Sequence, residues 1–316
     1  MGRGAERDSI DGGRADAPAE AASGGDGTGS ATASTIPPPP PRVEPRSYGL
    51  SDVGCVRDHN EDSFLVADLN RSIEVRGTNR PGRAGTRTGP CQGQLLMVAD
   101  GMGGHAAGEV ASALTIDAVT DYALTRMPWI TKEGSVDQRT LASGLRDAVL
   151  RAQERMKAHT REQRRTKGMG TTFTMAYVAW PDLFSVHVGD SRMYSYRDGQ
   201  LHQVTTDHTL AQQLVDHRVM TASQAEKSDF SNVLVNALGG DSEEVNIELR
   251  HAQLYPGDIL LLCSDGLTKH VDDDALKEAL DEVASGRALE DVARDLIARA
   301  KKDGGTDNVT VVLATF

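Results

Sequence analysis

Helices and strands that come in consecutive runs predict a layered α+β fold rather than strict βαβ alternation. Three observations carry this. Two helical stretches follow one another, from after Gly104 to about Met127 and over roughly 138–160. Short strand-like runs then follow one another at 171–179, 183–188 and 192–196. Two unbroken apolar runs, within 95–99 and 258–264, each stop at an Asp-Gly pair, as strands covered on both faces and ending at solvent would.

The elements follow in order. Residues 1–46 are rich in glycine and proline and contain no aromatic residue, so they cannot bury enough apolar area to offset their ordering entropy. A disordered tail is expected, with a short polyproline II rod over 37–41; a docking peptide for a partner is the alternative. Strand character begins at 47–54, gives way to the polar cluster 55–63, and resumes at 64–67. Residues 70–93, rich in Arg, Gly, Thr and Pro, predict a long exposed hairpin loop. The first helix carries Val110, Ala113, Leu114 and Ala118 at helical spacing; the second carries Leu141, Leu145, Ala148, Val149, Ala152 and Met156 on one face. Arg197-Asp198-Gly199-Gln200 predicts a hairpin turn. Residues 205–230 are polar with weak helical spacing and predict a mobile surface element. Strands are expected at 233–237, 245–254 and 258–264, helices at 272–281 and 288–302, and a closing strand at 308–316.

Composition narrows the function. The chain has 316 residues, 38% hydrophobic and 25% charged, which fits one large globular domain over 47–316. A net charge of -12 argues against a nucleic-acid binder and suits carboxylates gathered for cations. Cys55, Cys91 and Cys263 are too few and too scattered for a disulfide framework or a zinc site, which points to a reducing compartment. No apolar run approaches the roughly 18 residues of a membrane span, and the N-terminus has no hydrophobic signal core. A soluble, cytoplasmic monomer without nucleic-acid or membrane partners is expected.

The chemistry rests on repeated acidic strand ends. Glu61-Asp62 precedes a strand, Asp100-Gly101 and Asp265-Gly266 each end one, and Asp307-Asn308 opens the last. Oxygen donors of this kind, without cysteine, suit Mg²⁺ or Mn²⁺ better than zinc. Two such ions about 4 Å apart can share and acidify a water that attacks phosphorus in line. Arg57 is the candidate holder of the phosphate, because a guanidinium matches it with paired hydrogen bonds. Taken singly, each feature has a plainer reading: Asp-Gly is a common turn, and a lone arginine a surface ion pair.

Taken together, the motifs resemble the bacterial branch of the metal-dependent protein phosphatases, the PPM or type 2C serine/threonine phosphatases. They are Arg57-x-x-Asn60-Glu61-Asp62-Ser63, Asp100-Gly101-Met102-Gly103-Gly104-His105, Gly170-Thr171-Thr172, Gly189-Asp190-Ser191-Arg192, Ser264-Asp265-Gly266-Leu267 and Gly305-Thr306-Asp307-Asn308, in the family's order over 47–316. The resemblance implies a central β-sandwich of two antiparallel sheets flanked by antiparallel helix pairs, four layers in the order αββα. It implies hydrolysis of phosphoserine and phosphothreonine in proteins by a water between two Mn²⁺ or Mg²⁺ ions, without a covalent intermediate. Asp62, Asp100, Asp265, Asp307 and the Gly101 carbonyl would then be metal ligands, with Asp100 bridging. Glu61 would act through a bound water, and Asp190 would help hold a weaker third ion. Arg57 would hold the substrate phosphate. His105 is the candidate general acid, with packing at the helix start as its alternative; His59 is a second candidate. Partners would be phosphorylated proteins, serine/threonine kinases and their targets among them.

Two positions depart from the family pattern. Lys269 stands where members often have an acid or amide, so a third ion should be weakened or a neighbouring carboxylate ion-paired. Asn236 stands where bacterial relatives often have arginine, which should alter substrate contacts near 205–230. A cysteine phosphatase is excluded, because the residues six after the three cysteines are Glu61, Met97 and Lys269 rather than arginine. A catalytically silent phosphoprotein-binding module is the alternative from another class.

Overall fold

The two apolar runs become inner strands of two antiparallel sheets, and their unbroken hydrophobicity follows from having neighbours on both faces. The structure, a computed structural model, describes residues 44–76, 85–103, 106–126, 138–163, 166–226, 228–239 and 244–316. In chain order the elements are β1 (Arg46–Asp52), β2 (Ser63–Val75), β3 (Gly85–Ala99), β4 (Gly101–Met102), α1 (Ala106–Arg126), α2 (Gln138–Glu162), β5 (Gly170–Thr171), β6 (Phe173–Ala179), β7 (Asp182–Val188), β8 (Arg192–Arg197) and β9 (Gln200–Gln203). They continue with α3 (Leu210–Asp216), α4 (Ala222–Glu226), β10 (Leu238–Gly239), β11 (Glu248–Gln253), β12 (Ile259–Cys263), α5 (Asp265–Thr268), α6 (Asp273–Ala284), α7 (Leu289–Lys302) and β13 (Val309–Thr315).

One sheet has the order β11-β7-β6-β3-β2 and the other β1-β13-β12-β8-β9, and every pairing in them is antiparallel. The period of two along each strand sorts side chains into layers. On β3, Leu95, Met97 and Ala99 face the core beneath α1 and α2, while Leu96 and Val98 face the other sheet. On β12, Ile259, Leu261 and Cys263 pack with α6 and α7, while Leu260 and Leu262 point between the sheets. Three apolar layers thus separate helices, sheet, sheet and helices. The expected αββα sandwich is what the chain forms.

α6 starts where Asp272 accepts the Ala275 amide, a side-chain N-cap. α7 has Glu290 and Asp291 in its first turn and Arg299, Lys301 and Lys302 in its last, the polarity that suits the helix dipole. The turn at 197–200 is a two-residue hairpin with Asp198 and Gly199 both at positive φ.

Three expectations need correction. The loop expected at 70–93 is largely strand, since β2 runs to Val75 and β3 starts at Gly85, with register shifts at Leu69, Asn70 and Ser72. This ribbon is polar, so it lacks the apolar alternation that marks a strand; 77–84 lie outside the described residues. The strand expected at 233–237 is one bridge, Thr209 to Leu234, followed by the short β10, which pairs with β5. Val233 and Val235 are exposed rather than packed in a ladder. The partner strand β9 and the single turn α5 were not expected; both are too short to show a period. The predicted tail lies outside the described residues up to residue 43, and β1 already begins at Arg46.

Candidate metal centre

The acidic motifs meet at one end of the sandwich because the strands that carry them stop there. Asp62 directly precedes β2, Asp100 directly follows β3, and Ser63 is paired with Ala99 between them. In the other sheet, Ser264-Asp265 follows β12 and Asp307-Asn308 precedes β13, with Cys263 paired to Val311.

Asp62 is buried, and its Oδ2 accepts from Ser264 Oγ at 2.8 Å and Thr310 Oγ1 at 2.6 Å. A carboxylate of one sheet is therefore gripped by hydroxyls of the other. Among the described residues its Oδ1 has no hydrogen-bond partner, and neither does the buried Oδ1 of Asp265. Burial, and then the charges of Asp265 and Asp307, push the Asp62 carboxyl up to about 7. Asp100 is driven well above the ordinary carboxylate range by burial, then by Asp62, Asp265, Asp190 and Asp307. Asp190 rises to about 7, through burial and then Asp265 and Asp207. Asp62, Asp100, Asp190, Asp265 and Asp307 thus gather closely enough for their charges to act on one another. Asp307 differs: burial acts to raise it, but Lys269 and Arg57 outweigh that and hold it below the usual value.

Two cations sit in this acidic bowl. Arg57 Nη2 is 3.0 Å from Asp307 Oδ2 and 2.9 Å from Oδ1, with the arginine side chain half exposed at the rim. Lys269 Nζ is 2.6 Å from Asp265 Oδ2 and 3.1 Å from Asp307 Oδ2. Burial acts to lower the Lys269 ammonium, but Asp265 and Asp307 overcome it and raise it.

Other motif residues hold the bowl's backbone. Thr172 accepts the Asp100 amide at 3.0 Å, its own amide and the Thr171 hydroxyl donate to the Asp100 carbonyl, and it shares a hydroxyl bond with Ser191. Asn308 accepts the Glu61 amide and donates to the carbonyls of Val53 and His59, tying down the loop that carries Arg57. A Cβ on Gly101 would lie 2.2 Å from the Gly108 carbonyl oxygen and 2.4 Å from that of Glu61, so only glycine fits. Arg192 forks onto Asp207 through Nε and Nη2, fixing the start of the 205–230 segment. Ser264, Thr172, Ser191 and Asn308 stand within the sequence motifs, but these tasks depend on contacts between strands that no motif shows; Thr310 and Ser112, which donates to the Glu61 carbonyl, stand outside every motif.

Among the described residues, one trio brings its donor atoms within 4.8 Å of one another, and it is not the aspartate group: His187, His208 and Glu248. Both His187 nitrogens are in use, Nε2 donating to the Gly189 carbonyl at 2.9 Å and Nδ1 accepting from Thr174 at 2.9 Å. Burial, and then His208, pull its pKa down to about 3. His208 Nδ1 faces the Gly189 amide and the Asn236 side-chain amide. The trio is thus a hydrogen-bonded support beneath the Gly189-Asp190 turn. Asn236 serves it too, also bonding Asn246. A surface hollow of about 730 Å³ beside this support is lined by Asp207, His208, Gln212 and Asn236 among others, and by none of the residues expected to hold metal. His105 lies outside the described residues. Among the described residues no helix is long and apolar enough to cross a membrane.

The residues present fit hard divalent cations. The donor set is all oxygen, two buried carboxylate oxygens have no hydrogen-bond partner among the described residues, and the mutual repulsion of the aspartates calls for positive charge.

Comparison with known proteins follows the same line. Residues 86–308 match the family model described as protein phosphatase 2C. The serine/threonine protein phosphatase PstP of Mycobacterium tuberculosis is 38% identical over 266 residues, 84% of this chain and 43% of that protein. This chain thus spans less than half the length of that relative. The serine/threonine phosphatase stp of Listeria monocytogenes is 30% identical over 263 residues, 83% of this chain and 92% of that protein. A crystal structure of the PstP catalytic domain in complex with two manganese ions superposes with a TM-score of 0.65 at 37% identity, covering 86% of this chain and 97% of that one.

Proposed function

The chain belongs to the protein phosphatase 2C family, and from that premise we propose that it hydrolyses phosphoserine and phosphothreonine in proteins with the help of two divalent cations. The observation that carries this is the bowl formed by Asp62, Asp100, Asp190, Asp265 and Asp307, in which buried oxygens of Asp62 and Asp265 have no partner among the described residues. In this reading residues 47–316 are the catalytic domain. Mn²⁺ or Mg²⁺ would be held by Asp62, Asp100, Asp265, Asp307 and the Gly101 carbonyl, with Glu61 acting through water and Asp190 toward a third ion. Divalent cations held there would supply positive charge for the phosphoryl oxygens and a more acidic water as nucleophile.

The chain's own residues do the rest. Ser264 and Thr310 fix which Asp62 oxygen faces the bowl. Thr172 and Asn308 fix the backbones of Asp100 and Glu61. Arg57, anchored to Asp307 through Nη2, is the rim cation for the substrate phosphate. His105 is assigned as proton donor to the leaving alkoxide from its chemistry alone. Phosphorylated proteins are the substrates, and serine/threonine kinases the enzymes it opposes. Relatives carry this activity in their names, which supports the reading.

The test is phosphate release from a phosphothreonine peptide with Mn²⁺, with chelator, and with Asp265→Asn. Turnover that needs metal and is abolished in the variant, with the fold retained, is expected. No turnover with metal present would favour a silent phosphoprotein-binding module instead.

A further inference from the structure

The two halves of the bowl are not equivalent. No cationic side chain bonds Asp62 or Asp100 among the described residues, whereas Asp307 is shared by Arg57 and Lys269 and Asp265 is bonded by Lys269. Lys269 is the C-cap of the single turn α5, which begins at Asp265, so its side chain folds back along that turn in an i,i+4 pair. Its backbone amide donates to the Asp265 carbonyl, which fixes the base of the side chain beside the bowl. The ammonium bridges two carboxylates expected to hold metal, and about a quarter of its side chain remains exposed.

We propose that Lys269 is a resident counter-cation of the centre, one that must leave Asp265 and Asp307 before those carboxylates can take a divalent ion. This rests on the phosphatase reading above. An ammonium on a four-carbon stem can swing to solvent by side-chain rotation alone, so displacement needs no change of backbone. An ion held chiefly by Asp62 and Asp100 meets no such competitor. The chain therefore loads its two ions unequally, a tight one first and a weaker one that displaces lysine. Activity would then follow free divalent cation over the range set by the weaker site. The bridge also neutralises part of the bowl in the metal-free chain, so that state should be more stable with Lys269 than without it.

The experiment is calorimetric titration of Mn²⁺ into the chelator-stripped full chain, wild type against Lys269→Met and Lys269→Arg, with thermal unfolding of each with and without metal. Wild type should show two unequal steps. In Lys269→Met the weaker step should tighten by about tenfold or more, ~1.4 kcal/mol per factor of ten, and the stripped protein should melt lower. Lys269→Arg keeps the charge and should keep the weak step. Should Lys269→Met fail to fold, Lys269→Gln gives the same comparison. Two steps in Lys269→Met within twofold of wild type would overturn the proposal alone. Absence of saturable Mn²⁺ binding in wild type would overturn it together with the phosphatase reading.

Discussion

Asp62→Asn should make the metal-free protein more stable while destroying its response to metal. The substitution removes a charge and keeps the shape. The hydroxyls of Ser264 and Thr310, at 2.8 and 2.6 Å, can still donate to the amide oxygen. The amide nitrogen then sits where Oδ1 had no partner, facing acidic neighbours that can accept from it. A buried ion costs several kcal/mol that only a partner repays. Charge-assisted bonds from two hydroxyls return part of this, so a net gain of ~1–3 kcal/mol is expected for the stripped variant. For a domain of this size that is roughly 2–5 °C in melting temperature. The pH dependence has a definite sign. The folded Asp62 carboxyl titrates near 7 and the unfolded one near 3.8, so between these values the folded state binds more protons. Stability of the stripped wild type therefore falls as pH rises through that window, and the variant's advantage should grow from about pH 4 to a plateau above 7. Saturating Mn²⁺ should raise the wild-type melt, by ~2.7 kcal/mol at a hundred times Kd, and leave the variant almost unmoved. Circular-dichroism melts at pH 5 and 8, with and without Mn²⁺, read all of this. A stripped Asp62→Asn that melts at or below wild type at pH 8 would refute the claim that the bowl is built around missing positive charge.

Arg57→Ala should raise KM for phosphopeptide roughly tenfold or more by removing a charge-assisted phosphate contact. It should not weaken Mn²⁺ binding, since Arg57 only competes for Asp307; steady-state kinetics and metal titration read the two effects, and a large loss of metal affinity would contradict the role. Gly101→Ala should cost ~3 kcal/mol, because the new methyl meets carbonyl oxygens of Gly108 and Glu61 on two separate segments. A melt within 2 °C of wild type would show that the segments can part. Arg197→Ala leaves Asp258 nearly buried after losing two bonds of 2.6 Å, with, among the described residues, only the Tyr255 amide still donating to it, and should cost ~2–3 kcal/mol in urea unfolding; an unchanged midpoint would place that carboxylate in effective contact with solvent.

The elements of the sandwich were legible where they were long and two-faced, while their stacking as αββα followed from the family resemblance. The helices α1, α2, α6 and α7 and the strands β6, β7, β12 and β13 announced themselves by period or unbroken apolarity. The 205–236 segment did not, for a physical reason: α3 and α4 are only one or two turns long, and around them amides go to scattered carbonyls, Leu210 to Val233, Ala211 to Phe230 and Val235 to His208, which leaves no sustained repeat to read. At the site, the aspartates were legible as acidic strand ends, since a residue type at an element's end needs no knowledge of register. The Ser264 and Thr310 grip on Asp62 was not, because it depends on which residues of one sheet face which of the other. Lys269 was visible as an odd cation, but its reach to both Asp265 and Asp307 belongs to the geometry of a one-turn helix whose length no period reveals.

This arrangement makes metal affinity a property of the space between the sheets. Asp62 and Asp100 come from the ends of β2 and β3, Asp265 and Asp307 from the ends of β12 and β13, so each sheet contributes one pair. Among the described residues no ladder of hydrogen bonds fixes one pair relative to the other. What sets their separation is the inter-sheet layer of Leu96, Val98, Leu260, Leu262 and Val312, together with the clasps that cross it, Ser264 and Thr310 to Asp62 and Asn308 to Glu61. Packed interiors are stiff, so small changes of volume in that layer are felt at its end. The aspartates repel, and that repulsion pushes the two sheet ends apart. Apolar packing and neutral hydroxyl clasps oppose it without consuming the carboxylate oxygens that face the bowl. Lys269 crosses no gap, since Asp265 and Asp307 belong to one sheet; it weakens the repulsion by neutralising that pair, but by covering oxygens, which is why a chain that must bind cations there can use it only as a displaceable group.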